Sequence, residues 1–134
     1  MRPWKKRLRE PAPASELPPL DVAVAHTPYG ALVAIAGELD MATVPRVSAA
    51  LEAEPAVSAG TVVVDLAGVT FMDSTGIAAL VKLEHGLAAR AGRMAIACPE
   101  GPARLLLDVT GLAEQLAVFA TRAEAEAAAS GATR

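Results

Sequence analysis

Residues 61–92, TVVVDLAGVTFMDSTGIAALVKLEHGLAARAG, hold a β-branched apolar run, a short polar junction and a long periodic stretch, in that order. Thr61 to Leu66 is too short for a buried helix and apolar on both alternating faces, so it reads as a strand covered on both sides, as in a parallel sheet. A helix is expected from Ser74 to about Ala91, because Gly76, Leu80, Leu83 and Leu87 recur at helical spacing and Gly92 supplies a stop. A buried strand that runs through a short loop into an amphipathic helix is the unit from which α/β domains are built.

The flanks repeat that unit. Asp21 to His26 alternates with period two, Thr27-Pro28-Tyr29-Gly30 offers turn chemistry, and Ala31 to Ala36 resumes the apolar run, which predicts an antiparallel hairpin. After Gly37-Glu38-Leu39-Asp40, a helix is expected from Thr43 as N-cap to about Glu54, with Pro45 tolerated in its first turn. Met94 to Cys98 predicts another buried strand. Pro102 opens a helix with Leu105, Leu106 and Val109 facing inward and Gly111 beyond its end. Gln115 to Ala120 predicts the last strand and about Arg122 to Ala129 an alanine-rich helix. The order ββαβαβαβα predicts the α/β class: one domain with a mixed, mostly parallel five-stranded sheet, an antiparallel N-terminal hairpin strand and about four helices.

Composition bounds the function. The 134 residues suit a single domain, and 53% of them are hydrophobic, well above what a disordered chain carries. No run approaches the roughly 18 apolar residues of a membrane-spanning helix. The lone Cys98 excludes an intrachain disulfide, and with His26 and His85 far apart it argues against a zinc site of the Cys/His kind; the expectation for the chain is no metal site and no cofactor. The net charge of −3 is unevenly spread. Residues 1–20 carry five bases against two acids, a balance of +3, and the remainder seven against thirteen, or −6. Five of the ten prolines also fall in that opening segment, so residues 1–20 are expected to be a disordered basic arm and residues 21–134 the folded domain. Prolines follow the basic residues where a secretory leader would have an apolar segment, which makes the cytoplasm the natural location. The arm reads as a solvated tail or an early translation start; a tether to nucleic acid or anionic lipid is the sharper alternative, and direct nucleic-acid binding is not expected.

A search for catalytic chemistry assembles nothing. Ser74 has Met72 two residues before it, so the G-x-S-x-G of a nucleophile elbow fails, and no histidine follows His85 to complete a triad. Dinucleotide and phosphate-loop fingerprints are absent. Asp65 or Asp40 could be nominated as a phospho-acceptor of the receiver type, but Lys82, the lysine such a site would need, falls in mid-helix. The junction Phe71-Met72-Asp73-Ser74-Thr75-Gly76 has other properties. It places Ser74 at a helix start, near the surface, where a phosphate would meet unpaired N–H groups and the positive end of the helix dipole. Asp and Ser before a helix are also ordinary N-caps, and Phe71 and Met72 ordinary apolar anchors of the loop.

Four segments resemble the STAS domain family, in particular the freestanding bacterial anti-sigma factor antagonists. Gly37-Glu38-Leu39-Asp40 is similar to the end of that family's second strand and Val63-Val64-Asp65-Leu66 to its central strand. Phe71-Met72-Asp73-Ser74-Thr75-Gly76-Ile77 resembles its phosphorylation loop, and Pro102 through Leu112 its P-x-x-x-x-L-x-x-[ST]-G-L segment. The resemblance implies a non-enzyme that binds an anti-sigma factor which is also a serine kinase, and so releases a sigma factor. It implies phosphorylation at Ser74, reset by a PP2C-type phosphatase, and a partner-binding set of Asp40, Asp73, Ser74, Thr75 and Gly76. The ATP and magnesium would belong to the kinase. The same family also serves as subunits of lipid or anion transport and of stress-signalling assemblies, the alternative in which Ser74 is never modified.

Overall fold

A computed structural model describes residues 20–58 and 60–131. The expected arm lies outside the described residues except for Leu20, which opens the first strand. β1 (Leu20–Thr27) and β2 (Gly30–Leu39) form the predicted hairpin, paired antiparallel from Leu20 opposite Gly37 to Thr27 opposite Gly30. Its turn is closed by the Gly30 N–H donating to Thr27 Oγ1 at 3.1 Å. Gly30 has φ +146°, and a Cβ there would run into the Thr61 carbonyl oxygen, so this corner tolerates only glycine.

β3 (Thr61–Met72), β4 (Met94–Ala97) and β5 (Ala117–Phe119) complete one five-stranded sheet in the order β1-β2-β3-β4-β5, parallel from β2 onward. The helices between are α1 (Val44–Glu52), the single turn α2 (Pro55–Ser58), α3 (Ser74–Ala88), α4 (Pro102–Val109), the single turn α5 (Leu112–Gln115) and α6 (Arg122–Ala129). Both single turns were absent from the sequence reading. The main core lies on one face of the sheet, where Val33, Ile35, Val62, Val64 and Ile96 meet Leu80 and Leu87 of α3 and Leu107 of α4. On the other face Ala125 and Ala129 of α6 lie on Val63, Ala95 and Ala97, small residues that let helix and sheet approach closely.

Several expectations need correction. β3 runs six residues beyond Leu66, because the presumed loop pairs with β2 as far as Leu39 opposite Met72, with register shifts between Ala34 and Ala36 and between Gly37 and Glu38. α1 ends at Glu52 rather than Glu54, and α3 at Ala88, with Ala91 in a left-handed conformation at φ +61° before Gly92. β5 keeps three of the six residues expected. In α4 the inward residues are Ala103 and Leu107, with Leu106 half-buried. Leu105 and Val109 are 62% and 70% exposed, because they lie on the helix face opposite that i, i+4 pair.

Polar groups fix the far face. Asp65, nominated above as a phospho-acceptor, is buried, with Oδ1 accepting from the Ala67 N–H at 2.8 Å and Oδ2 held by Arg122 Nε at 2.6 Å. Tyr29 Oη donates to Glu126 Oε2 at 2.8 Å, tying the hairpin to α6. Burial, then that hydrogen bond to a carboxylate, push the Tyr29 pKa up to about 12. The chain has one tyrosine, so phenolate absorbance should titrate with a midpoint near 12 in the folded protein and near 10 after unfolding. The folded state holds this proton more tightly. The stability it contributes is therefore fully present below about pH 10 and lost as the pH rises through about 12. A folded-state midpoint of 10 would show that the Glu126 contact does not persist in solution.

Among the described residues no helix is long and apolar enough to cross a membrane.

Candidate functional site

The carboxyl ends of β2 and β3 leave the sheet side by side and build one surface. Leu39 pairs with Met72, and the next residue, Asp73, donates its N–H to the Leu39 carbonyl at 3.3 Å. Asp40 and Asp73 therefore emerge together, one into the turn before α1 and the other at the start of α3. The structure thus brings together all five residues singled out in the sequence, and it gives them different positions.

Asp73 is the N-cap of α3. Its backbone is extended, and Oδ1 accepts from the N–H groups of Thr75 at 2.9 Å and Gly76 at 3.3 Å. Ser74, the first helical residue, is exposed, and its hydroxyl makes no hydrogen bond to any described residue. The capping duty is Asp73's, which leaves the Ser74 oxygen unoccupied. The sequence expectation that a phosphate here would find free N–H groups is only partly met, since two of the first-turn donors already serve Asp73. Thr75 is half-buried. Gly76 is buried, and a Cβ on it would stand 2.7 Å from Met72 Cγ and 2.9 Å from the Leu39 carbonyl oxygen, so it acts by letting α3 settle onto the strand ends.

Asp40 turns its carboxylate into its own loop, where Oδ1 accepts from Ala42 N–H at 2.9 Å and Thr43 N–H at 3.2 Å. Thr43 precedes α1 as predicted, but its hydroxyl does not cap the helix. It is fully buried and reaches back, donating to the Glu38 carbonyl at 2.7 Å and accepting from the Asp40 N–H at 3.0 Å. The two side chains lock the turn that holds Asp40 beside Ser74. Neither Asp40 nor Asp73 forms an ion pair among the described residues, so the surface around Ser74 carries uncompensated negative charge.

Apolar residues adjoin it in the chain. Met72 is buried as an anchor, as expected, but Phe71 is 47% exposed and Met41, which the sequence reading passed over, is 76% exposed. The readable signal was a large apolar residue directly after the Asp40 turn. Cys98, at the end of β4, is buried, and burial pushes its thiol pKa up, so it serves as an apolar packing residue. No group of three or more His, Cys, Asp or Glu positioned to hold a metal occurs among the described residues.

A mixed sheet with one antiparallel edge, carrying an exposed serine at a helix start beside two acids, defines a small α/β domain with a polar surface loop at the strand ends. The chain matches the STAS domain model over residues 21–125 and belongs to that family. Similar solved structures include an anti-sigma factor antagonist from Mycobacterium paratuberculosis, with 26% identity over 83% of this chain and 94% of that one and a TM-score of 0.75. The Bacillus cell fate determinant SpoIIAA in its phosphorylated form is 25% identical, over 78% of this chain and 96% of that one, with a TM-score of 0.59. A sulfate transporter family protein from Wolinella succinogenes shares the fold at 20% identity, over 74% of this chain and 83% of that one, with a TM-score of 0.63. A search of curated proteins gave no match.

Proposed function

We propose that this chain is an anti-sigma factor antagonist, a switchable ligand rather than a catalyst. Unphosphorylated, it binds an anti-sigma factor that is also a serine kinase and so releases a sigma factor; phosphorylation of Ser74 ends that binding, and a PP2C-type phosphatase restores it. The observation that carries the reading is the exposed Ser74 at the first position of α3, its hydroxyl without a hydrogen bond among the described residues, in a chain whose similar structures include an anti-sigma factor antagonist. The docking surface is Ser74 with Asp40, Asp73 and Thr75, Gly76 setting the helix start beneath them. Met41 and Phe71 supply apolar contacts at its margin, since exposed large apolar side chains beside a polar centre are what an interface buries.

The electrostatics make the loop a switch. Phosphorylation adds about −1.5 to −2 charge, beside Asp73 and close to Asp40. Asp73 already holds two of the helix-start donors, so the phosphate gains little from them and projects as a dianion. Desolvating that cluster against a partner is costly, and a loss of about 3 kcal/mol lowers affinity more than a hundredfold. A change of fold is not needed.

The test is intact mass spectrometry after incubation with ATP, magnesium and each candidate kinase of the same genome, followed by mapping of the site. One added phosphate, on Ser74 and missing from Ser74→Ala, is the expected result. No phosphate with any kinase would favour the unmodified subunit of a transport or stress-signalling assembly.

A further inference from the structure

A groove of about 640 Å³ runs between α1 and α3, from Thr75 beside the serine to Arg90 at the far end. From Thr75 to Ala88 the helix covers about 20 Å at 1.5 Å per residue, and Arg90 follows just beyond its end. Small residues open it: Ala78, Ala79 and Gly86 face α1 where larger side chains would have closed the seam. Its walls are mostly aliphatic, with Leu51 on α1, Val57 on α2, and Leu83 and Leu87 on α3, and no aromatic ring among the described residues lines it. Beneath it lies a void of about 30 Å³ above Val33, Ile35 and Val64 of the sheet. The void and the groove have Ser48, Leu51, Ala79 and Leu83 in common among their lining residues.

Charge distinguishes the rim. Lys82 and Arg90 line it and form no ion pair among the described residues, against the single carboxylate of Glu52. A body with thirteen acids and seven bases thus turns two cations toward this aliphatic groove. The volume falls within the roughly 300–1,000 Å³ of small-molecule sites. A mostly aliphatic lining with two cations at its rim suits an alkyl chain that ends in an anionic group.

We propose that this groove binds a single-chain aliphatic carboxylate, with its chain between Leu51 and Leu83 and its head group at Lys82 and Arg90. Titration calorimetry on the full chain with dodecanoate, kept below its micellar concentration, tests this, with dodecanol as the uncharged control. One-to-one saturation by dodecanoate is expected, weakened at least tenfold in dodecanol and in the double variant Lys82→Ala, Arg90→Ala. Ala79→Leu, which puts a larger side chain into the wall of the groove, is expected to weaken it at least tenfold as well. The charge variant alters only exposed side chains, so it keeps the test decisive if Ala79→Leu fails to fold. Absence of saturable dodecanoate binding overturns the proposal, and so does binding that both variants leave unchanged. If dodecanoate does not bind while Ala79→Leu abolishes capture of the kinase, the groove is a protein interface and the proposal falls.

Discussion

Phosphorylation of Ser74 is expected to weaken binding to the anti-sigma kinase at least a hundredfold, and Ser74→Glu at least tenfold, while Ser74→Ala binds like the unmodified protein. The ordering follows the charge placed beside Asp73: about −1.5 to −2 for the phosphate, one for the carboxylate and none for alanine. Calorimetric titration of the three forms against the kinase reads it directly. Because surface repulsion is screened, the gap between the glutamate and alanine variants should narrow as salt is raised. Stability should change by less than about 1 kcal/mol in either variant. Ser74 is exposed, its hydroxyl caps nothing, and the first turn of α3 carries no acid at present, so a carboxylate at its first position suits the helix dipole. Equal affinities for all three forms would remove the loop from the interface. Unfolding of Ser74→Glu would mean that the serine, not Asp73, holds the helix start.

Much of this architecture was legible in the sequence, because period-two and period-3.6 patterns register which face is buried. The hairpin about Thr27 to Gly30, the strand at Thr61, the stripe Gly76, Leu80, Leu83 and Leu87, and α6 from Arg122 to Ala129 all follow from such patterns. What the sequence hid depends on distant partners. Ala67 to Met72 contains a glycine and polar residues and looks like loop; only the β2 edge makes it a strand, bulged where the two registers drift. In α4 the run Leu105-Leu106-Leu107 with Val109 offers apolar residues in most directions, so periodicity alone could not choose the face that Ala103 and Leu107 take. The Asp65–Arg122 pair spans 57 residues and leaves no local trace. At the candidate site, the motif placed Asp73, Ser74, Thr75 and Gly76 at a helix start, as the structure has them, but chain order could not decide between Asp73 and Ser74 as the cap. Side-chain reach decides it, since the Asp73 carboxylate bonds the N–H groups two and three residues on.

The same substitution at two glycines of α3 is expected to act with opposite sign. Gly76→Ala places a methyl 2.7 Å from Met72 Cγ, 2.9 Å from the Leu39 carbonyl oxygen and 3.0 Å from Leu39 Cγ. Met72 can rotate away, but the Leu39 carbonyl accepts the Asp73 N–H that joins the two strand ends, so relief requires α3 to lift off the sheet. Overpacking of this kind costs about 1–3 kcal/mol. Gly86 also lies within α3 but has no atom within 4 Å of where its Cβ would be. There alanine removes only the backbone freedom of the unfolded chain and should stabilise by about 0.5–1 kcal/mol. Urea denaturation of both variants beside the parent separates the two effects, because helix propensity is shared and only the close approach differs. Binding adds a second reading: Gly76→Ala should lose kinase affinity even under conditions where it is fully folded, because lifting the helix start moves Ser74 away from Asp40. If Gly76→Ala is as stable as Gly86→Ala, the strand ends and α3 are not packed as tightly as this geometry requires, and the fixed placement of the serine beside the two acids would lose its structural basis.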